Sequence, residues 1–413
     1  MTEADRIFGR FPPFVQNFIY EKGWDSLRDV QLSAAKTIFE TDNNLLLTSQ
    51  TASGKTEAAF FPVLSDVWSN PPQSIAVLYI APLKSLINDQ FERIADLLDE
   101  SGIKVTHWHG DVAASHKKKL LGEPRGILQI TPESLESMLM NRSNDIVRLF
   151  GELRYVIIDE IHTLIGSDRG SQIICQLCRI AHIIGHIPRR IGLSATVGSP
   201  EKAAEWLSAG TGRQTDIPVF PQGKITWRLG LEHFYIQNMK EDQSEDIPSE
   251  KSTDAKKYAV LDAGYEYMYD CVKNKKSLVF SNSREETEYV TATLRQIAEK
   301  RGDPDIFLIH HGNLSAALRE EAETKMKDED TIAVTCATVT MELGIDIGKL
   351  ERIVQNDAPN SVSSFLQRLG RSGRRGDAPE MMMVFREENP LPNTPLPQLI
   401  PWSLLRAIAI IQL

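Results

Sequence analysis

Residues 45–56 read Leu-Leu-Leu-Thr-Ser-Gln-Thr-Ala-Ser-Gly-Lys-Thr, and this stretch decides the fold class. The apolar run 45–48 predicts a strand buried on both faces of a parallel sheet, and a helix is expected after Gly54. A loop between such a strand and helix that ends in Gly-Lys-Thr is typical of a phosphate-binding loop. The strict pattern has glycine at its first position, where this chain has Ser49.

Short apolar runs of the same kind recur along the chain, separated by polar segments of helical length. The runs lie at 75–80, 127–130, 155–158 and 191–193, and later at 277–280, 306–309, 332–335 and 352–355. Segments 285–301 and 316–327 predict helices between the later runs. The alternation predicts βαβ units, so we expect an α/β protein with two domains, each a mostly parallel sheet flanked by helices.

The segment 240–257 separates the two groups of strands. It holds six acidic residues and four lysines without apolar periodicity, which is typical of a linker or exposed loop. Five prolines between 390 and 401 exclude a helix or central strand there, and an apolar helix start follows them. We expect this uncapped apolar end to continue into a further domain. The predicted ranges are a first domain over 1–215, a linker region over 216–257, a second domain over 258–388 and a proline-rich connector over 389–413.

The composition excludes several classes of protein. With 25% charged and 41% hydrophobic residues the chain is ordinary for a globular protein, and it has no run of about 18 apolar residues that would predict a membrane span. Four cysteines argue against a disulfide framework, and the N-terminus has no features of a secretory signal. We therefore expect a cytoplasmic protein with no membrane partner. Cys175 and Cys178 lie in an apolar helix-like run and are interpreted as small core-facing residues.

Two carboxylates follow directly after the run 155–158. Asp159 and Glu160 stand at the carboxyl end of a predicted strand, where α/β sheets bind ligands. Together with the phosphate-binding loop they predict a phosphoryl-transfer site. Lys55 would neutralise the β- and γ-phosphates and Thr56 would ligate Mg²⁺, while Asp159 would hold the Mg²⁺ through water. Glu160 would orient and deprotonate the attacking water.

The segment 367–376, Gln-Arg-Leu-Gly-Arg-Ser-Gly-Arg-Arg-Gly, places four arginines among three glycines. Either it is a basic surface loop, or its arginines reach a γ-phosphate, a task that suits the planar and permanently charged guanidinium. The net charge of −10 argues against nucleic-acid binding by the whole surface, although binding depends on a local groove. Arg189 and Arg190, like the lysines 117–119, either add local positive charge or are solvated.

The order of these motifs resembles superfamily 2 helicases with two RecA-like domains. In chain order the matching motifs are Gln31, SQTASGKTEA, APLKSLINDQ, TPES, DEIH, SAT, LVFSNSREETE, HHGNLS, ATVTMELGIDIG and QRLGRSGRRG. Within that superfamily, stretches 159–170, 190–198 and 342–348 most resemble the large-helicase-related (Lhr) family. The resemblance implies a winged-helix region after the second domain, of which 389–413 would be the start.

The resemblance also implies roles for residues of the nucleotide site. Gln31 matches a glutamine that reads adenine, so ATP would be preferred over GTP. Arg371 and Arg374 match two arginine fingers, and His162 would link the ATP site to the motifs that bind a strand. The residues implied to bind the nucleotide are Gln31, Ser49, Gln50, Thr51, Ala52, Ser53, Gly54, Lys55, Thr56, His162, Gly344, Asp346 and Gln367.

A second set of residues matches positions that hold a nucleic-acid strand in such helicases. They are Pro82, Lys84, Ser85, Thr131, Pro132, Ser281, Asn282, Arg284, Thr335 and Thr338. Small hydroxyl residues at the starts of loops are equally typical of helix caps, and this alternative stays open. Contacts of this kind to phosphates would position a strand without reading its sequence.

The function implied by the resemblance is an ATP-dependent helicase or translocase. ATP and Mg²⁺ would bind between the two RecA-like domains, with 3′-to-5′ movement on single-stranded DNA and unwinding of DNA or RNA–DNA duplexes. The alternative is an ATP-gated clamp or remodelling motor of a repair or defence complex, without processive unwinding. The expected partner is single-stranded nucleic acid, DNA before RNA or a hybrid, and the expected core is a monomer that enters larger complexes through further domains.

Overall fold

A computed structural model of the chain describes residues 2–48, 54–82, 91, 94–110, 112, 114–194, 199–219, 226–236, 262–328, 330–342, 347–348, 350–372, 378–391 and 393–413. The chain divides into two compact units, Met1–Gly223 and Lys224–Leu413. Each unit has its own sheet and its own hydrophobic core. In the ranges given above, no helix is both long enough and apolar enough to cross a membrane.

The first unit is built on a seven-stranded sheet in which each pairing is parallel. Its strands are β1 (Asn44–Thr48), β2 (Ile75–Ile80), β3 (Val105–Trp108), β4 (Gly126–Ile130), β5 (Tyr155–Ile158), β6 (Arg189–Ser194) and β7 (Thr215–Asp216). They lie in the order β3-β4-β2-β5-β6-β1-β7. Strands β2, β5 and β6 are buried along their whole length, as the continuous apolar runs predict.

Helices flank this sheet, and local signals set several of their ends. The helices are Glu3–Phe8, Pro13–Glu21, Asp29–Glu40, Lys55–Ser69, Ala95–Ser101, Ala114–Gly122, Pro132–Asn141, Ile146–Phe150, Asp168–Ile184 and Pro200–Ser208. Pro132 and Pro200 occupy first helical positions, where the missing N–H is no loss. Gly185 ends the helix Asp168–Ile184 at a φ of 78°, a left-handed conformation that suits glycine.

The second unit is built on a six-stranded parallel sheet in the order β10-β11-β9-β12-β13-β8. Its strands are β8 (Arg228–Ile236), β9 (Ser277–Phe280), β10 (Phe307–His310), β11 (Val334–Ala337), β12 (Arg352–Asn356) and β13 (Glu380–Glu388). Its helices are Ala263–Val272, Arg284–Arg301, Ala316–Lys327, Val362–Leu369 and Trp402–Gln412. Two clusters of buried apolar side chains form its core, one containing Phe280 and Phe365 and the other Tyr269 and Phe307.

The predicted α/β class with two parallel sheets is confirmed. The apolar runs missed the outer strands β3, β7 and β8 and the strand β13. The strand β8 lies inside the range 216–257 that was assigned to a linker, so the linker prediction is corrected for Arg228–Ile236. Its residues are all exposed or half-buried, because β8 lies at the edge of the sheet, and such a strand leaves no continuous apolar run.

Two sequence-based interpretations of side-chain burial were wrong. Cys175 and Cys178 are exposed, because the helix Asp168–Ile184 turns Ile173, Leu177 and Ile180 toward the core instead. Arg189 and Arg190 are neither solvated nor part of a basic surface, since they are 7% and 3% exposed. Both guanidiniums donate to backbone carbonyls, that of Arg190 to Leu207 and Ala209 at 2.9 and 2.8 Å. A buried arginine is tolerated when its N–H groups are satisfied in this way.

Candidate functional site

The end of the phosphate-binding loop lies directly at the start of the helix Lys55–Ser69. Gly54 is the residue before the helix, with φ 84° and ψ 27°, a left-handed conformation in which a side chain would be strained. Lys55 and Thr56 are the first two helical residues, where unpaired N–H groups and the helix dipole favour an anion. Residues Ser49, Gln50, Thr51, Ala52 and Ser53 lie outside the described residues.

Gln31 lies beside this loop. It belongs to the helix Asp29–Glu40, and its Oε1 accepts a hydrogen bond from the backbone N–H of Arg28 at 3.0 Å. A Cβ placed on Gly54 would lie 3.2 Å from the Nε2 atom of Gln31, so the amide packs directly against the loop. Nε2 is buried, and no hydrogen-bond partner for it lies within the described ranges. The amide N–H group is therefore in position to serve as a donor to a ligand at the loop.

Asp159 follows β5 at the carboxyl edge of the sheet and is 5% exposed. Its carboxylate accepts hydrogen bonds from the hydroxyl of Tyr79 and from the backbone N–H of Glu160, the latter at 2.9 Å. Burial, together with the neighbouring Glu160 carboxylate, raises the pKa of Asp159 to about 7, while the hydrogen bond from Tyr79 and the Lys55 ammonium oppose this rise. Because the charge of Lys55 acts on Asp159, the loop lysine and the strand-end carboxylate belong to one site.

Glu160 adopts an unusual backbone conformation. Its φ of 47° and ψ of 44° place it in the left-handed region, and Asp357 is the other non-glycine residue with positive φ in the described part of the chain. Strained backbone of this kind clusters at functional sites. The Nδ1 atom of His162 lies 3.4 Å from Glu160 Oε2 and 3.3 Å from the hydroxyl oxygen of Ser194. His162 thus connects Glu160 with the end of β6, where the predicted SAT motif begins.

In the second unit, Arg371 lies just after the helix Val362–Leu369, and Gln367 lies in the last turn of that helix. Both are buried, at 3% and 5% exposure. The Arg371 guanidinium donates to the backbone carbonyl of Glu342 from Nε at 3.2 Å and from Nη2 at 2.6 Å. The predicted site residues Gly344, Asp346 and Arg374 lie outside the described residues.

A fully buried charge network lies beside Arg371. Arg368 has no exposed surface and forms an ion pair with the carboxylate of Glu342, with Nε to Oε1 at 2.6 Å. Its Nη1 also donates to Gln355 Oε1 at 2.5 Å and to Asn282 Oδ1 at 3.3 Å. Removal of one partner from such a network leaves an uncompensated buried charge. This network therefore joins the arginine-rich segment to the ends of β9 and β12.

Two segments of the first unit that are predicted to bind nucleic acid, those of Pro82 and of Thr131 and Pro132, meet at Arg169. Its guanidinium donates to the backbone carbonyl of Pro82 at 2.6 Å and to the carboxylate of Glu133 at 2.6 Å. Thr131 is the cap of the helix Pro132–Asn141 and accepts a hydrogen bond from the N–H of Ser134 at 3.4 Å. The helix-cap alternative therefore holds for Thr131, and its contact with a strand stays a prediction. Lys84 and Ser85 lie outside the described residues.

The corresponding residues of the second unit differ in exposure. Arg284 is exposed, and Thr338 precedes the short helical turn Val339–Met341. Asn282 is used internally, since its amide donates to the carbonyl of Ala358 at 2.8 Å and accepts from Arg368. Ser281 and Thr335 have no exposed surface, so the prediction that their side chains contact a strand is corrected: a hydroxyl enclosed by protein cannot touch a phosphate.

Three residues that organise these sites are not among the predicted site residues. They are Tyr79 at Asp159, Glu342 beneath Arg371, and Arg169 between two segments. Tyr79 was detectable, because it is the one side chain with a polar group in the apolar run Ile75–Ile80, and a buried tyrosine hydroxyl needs a hydrogen-bond partner. Glu342 and Arg169 lie in quoted motifs but carry no local signal of their role. In the described residues, no group of three or more His, Cys, Asp or Glu is arranged to hold a metal ion by itself.

Two family models match the chain. The model named DEAD/DEAH box helicase matches residues 28–204, and the model named helicase conserved C-terminal domain matches residues 259–376. The first match contains Gly54, Lys55 and Asp159, and the second contains Gln367 and Arg371. The two matches therefore fall on the two units that carry the candidate site residues.

Curated relatives carry the same assignment. The ATP-dependent helicase Lhr-Core of Methanothermobacter thermautotrophicus is 31% identical over 393 residues, covering 91% of this chain and 43% of that protein. The Lhr-Core helicase of Methanocaldococcus jannaschii is 32% identical over 373 residues, covering 86% of this chain and 41% of that protein. The chain therefore spans about two-fifths of the length of these relatives.

Solved structures agree with the fold. The structure of Mycobacterium smegmatis helicase Lhr bound to ssDNA and AMP-PNP is 27% identical in sequence to this chain, with a TM-score of 0.76. The match covers 98% of this chain and 50% of the Lhr chain. The DEAD-box helicase Mss116 bound to ssRNA and UDP-BeF has 16% identity and a TM-score of 0.71, which supports the fold alone. The chain belongs to the DEAD/DEAH box helicases of superfamily 2 and, within that superfamily, to the Lhr-like helicases.

Proposed function

We propose that the chain is the ATP-hydrolysing core of a nucleic-acid helicase. The observation that carries this proposal is the grouping of Gly54, Lys55 and the Asp159–Glu160 pair at the carboxyl edge of one parallel sheet, with the charge of Lys55 acting on Asp159. A glycine loop at a helix start beside strand-end carboxylates is suited to phosphoryl transfer. Family membership supports the same assignment.

Two features of the first unit fit ATP and Mg²⁺. Gln31 presents a buried amide N–H group without a partner in the described residues, directly against the loop, and the adenine ring offers acceptors for such a donor. Asp159 is a buried carboxylate next to a second carboxylate, an arrangement that a divalent cation would stabilise. Thr56 and Asp159 would hold Mg²⁺, which supplies positive charge to the phosphate oxygens when bound.

In the proposed reaction the residues of the chain have separate tasks. Lys55 and the N–H groups at the helix start would bind the β- and γ-phosphates. Glu160, whose backbone is in the left-handed region, would orient the attacking water and accept its proton. His162 would couple Glu160 to the end of β6 through Ser194. All of these groups lie at or follow the carboxyl ends of strands of the first sheet.

The second unit would contribute positive charge to the transition state. In this proposal ATP is hydrolysed between the two RecA-like domains, where Arg371 and Arg374 stabilise the charge that develops on the γ-phosphate. Gly344, Asp346 and Gln367 would complete the nucleotide contacts. The proposal requires Arg371 to exchange its hydrogen bonds to the Glu342 carbonyl for phosphate oxygens.

The proposed partner is a single nucleic-acid strand, DNA before RNA or a hybrid. The support is the related M. smegmatis Lhr structure, which is bound to ssDNA. Strand contacts are proposed for Pro82, Lys84, Ser85, Thr131, Pro132, Asn282, Arg284 and Thr338. Movement is proposed to be 3′-to-5′, with unwinding of DNA or RNA–DNA duplexes, by a monomeric core.

An ATPase assay tests this proposal. Phosphate release should rise strongly when single-stranded DNA is added, and Lys55→Ala should abolish phosphate release both with and without DNA. Strand separation should then be measured on DNA, RNA and hybrid duplexes with 3′ or 5′ overhangs. ATPase activity that is indifferent to nucleic acid would contradict a helicase.

The second candidate is an ATP-gated clamp or remodelling motor of a repair or defence complex. Its support is that the curated relatives named as helicases are more than twice as long as this chain, so that unwinding is an activity of those whole proteins. The assay above separates the candidates. DNA-stimulated ATPase with duplexes that stay paired at both overhang polarities would favour the clamp for this chain.

A further inference from the structure

We propose that Tyr79 is a positioning residue that fixes the orientation of the Asp159 carboxylate, and thereby the affinity of the ATP site for Mg²⁺. The inference rests on the proposed function, since it assigns Asp159 to the metal. The register of two strands brings Tyr79 and Asp159 together. Tyr79 of β2 pairs with Ile157 of β5, and Asp159 stands two residues beyond Ile157.

Side chains two residues apart on a strand share a face of the sheet, so Tyr79 and Asp159 project to the same side. Adjacent strands lie about 4.8 Å apart and two residues of a parallel strand rise about 6.6 Å, so the backbones of such diagonal neighbours are about 8 Å apart, which the two side chains together span. The Tyr79 hydroxyl accordingly donates to Asp159 Oδ2. The backbone N–H of Asp159 is held as well, by the carbonyl of Ile80 at 2.9 Å.

The two oxygens of Asp159 therefore have separate donors inside the protein. Oδ2 is bound by Tyr79, and Oδ1 by the backbone N–H of Glu160 at 2.9 Å. With a donor on each oxygen the carboxylate cannot rotate freely, and its remaining lone pairs keep one direction. A carboxylate held in this way binds a metal ion more tightly, whether directly or through water, and removal of an outer-shell donor typically lowers metal affinity about 10- to 100-fold.

The ring of Tyr79 is itself held on the sheet by two phenylalanines. Phe60 lies on the helix Lys55–Ser69 that begins at the phosphate-binding loop, and its ring centroid is 5.9 Å from that of Tyr79. Phe91 packs edge-on against Tyr79 at 5.3 Å and against Phe60 at 5.2 Å. All three rings are buried. Because these contacts leave Tyr79 little freedom, its hydroxyl is directed at Asp159.

Tyr79→Phe tests the inference because it deletes the hydroxyl alone. The measurement is binding of a fluorescent ADP analogue to the purified chain by anisotropy, at increasing Mg²⁺ and with EDTA as the zero point. The half-saturating Mg²⁺ concentration should rise about 10-fold or more. Binding in EDTA should be unchanged, because the phosphate-binding loop is intact.

Tyr155→Phe is the matched control. Tyr155 is also a buried tyrosine of this sheet, and its hydroxyl donates to a carboxylate, Asp66 Oδ2, at 3.1 Å, away from the candidate site. This variant should keep the wild-type Mg²⁺ midpoint. In an Asp159→Asn background, Tyr79→Phe should cause no further shift, because the group that it positions is already changed.

Phe91→Leu is the second variant, in case loss of the hydroxyl prevents folding. It loosens the ring of Tyr79 while keeping the hydroxyl, so the midpoint should move in the same direction by a smaller factor. Equal Mg²⁺ midpoints for wild type, Tyr79→Phe and Phe91→Leu would overturn the inference, as would an equal shift in Tyr155→Phe. A wild-type chain that binds no nucleotide at any Mg²⁺ concentration would instead overturn the proposed function, and the inference with it.

Discussion

The guanidinium of Arg371 donates from both Nε and Nη2 to one acceptor, the backbone carbonyl oxygen of Glu342, at 3.2 and 2.6 Å. The side chain of Glu342 serves a different arginine, because its carboxylate pairs with the fully buried Arg368. One residue thus holds two arginines of the segment 367–376, one through its backbone and one through its side chain. Movement of Glu342 would displace both arginines.

Glu342→Gln should destabilise the second unit markedly. The change leaves the buried charge of Arg368 without its counterion, and breaking a buried pair typically costs about 3–5 kcal/mol. Chemical denaturation followed by circular dichroism should show this loss as an earlier unfolding transition. The control is Glu321→Gln, which breaks the exposed pair with Lys325 and should leave the transition in place. An unchanged transition in Glu342→Gln would contradict the role of the network.

Glu160→Gln should separate nucleotide binding from hydrolysis. The amide cannot accept a proton from water, so turnover should fall about 10²- to 10⁴-fold, while ATP affinity stays near that of the wild type. Lys55→Ala should lose ATP binding itself, because the phosphates lose their charge partner. Equilibrium binding and steady-state phosphate release on both variants provide the measurement. Full turnover in Glu160→Gln would exclude Glu160 as the base.

Stability of the ligand-free chain should depend on the protonation of Asp159. Its pKa is about 7 in the folded chain because of burial beside Glu160, against an ordinary value of 3.8. Between these values the folded chain holds a proton that the unfolded chain has released, so raising the pH favours unfolding. The free energy of unfolding should fall between about pH 4 and pH 7, by at most about 4 kcal/mol, and level off above pH 7.

Asp159→Asn isolates this effect. The amide has no charge to bury, so the variant should be more stable than the wild type at pH 8 and equal to it near pH 4. Thermal melting across this range, without nucleotide or divalent cation, gives the comparison. A constant difference between the two proteins at all pH values would show that Asp159 does not titrate in this window.

Gln31→Ala should weaken the preference of the site for ATP over GTP. The amide of Gln31 is the buried donor that lies directly against Gly54, and loss of one good hydrogen bond corresponds to about 1 kcal/mol, or roughly a fivefold change in affinity. Competition binding with ATP and GTP measures the ratio. If the ratio is unchanged, adenine is recognised by other residues.

Much of the nucleotide site was predictable because its chemistry is local in sequence. Gly54, Lys55 and Thr56 are consecutive, and Asp159 and Glu160 follow one apolar strand, so strand, turn and helix signals alone place them at the same edge of a parallel sheet. The two-sheet α/β fold was predictable for the same reason, since its buried strands are continuous apolar runs. The edge strand β8 was not predictable in this way, because none of its residues is fully buried and the strand therefore has no continuous apolar run.

The local sequence pattern did not show which of the predicted nucleic-acid contacts are exposed. Ser281 and Thr335 look like the other small hydroxyl residues at loop starts, yet neither has exposed surface, because the strands around them enclose both side chains. Arg189 and Arg190 look like a basic surface pair, yet backbone carbonyls distant in sequence accept their N–H groups. Burial depends on which elements pack together, and a single segment does not contain that information.

The sequence by itself therefore determined the residue types, their spacing and the edge of the sheet at which they act. Only the tertiary structure decided how those residues are held. Tyr79 reaches Asp159 across 80 residues of chain because β2 and β5 are neighbours in register. Arg368 contacts both Glu342 and Gln355 because β11, which precedes Glu342, and β12, which carries Gln355, both pair with β9. Motif chemistry is local, whereas the hydrogen bonds that orient it join segments that become neighbours only when the sheets form.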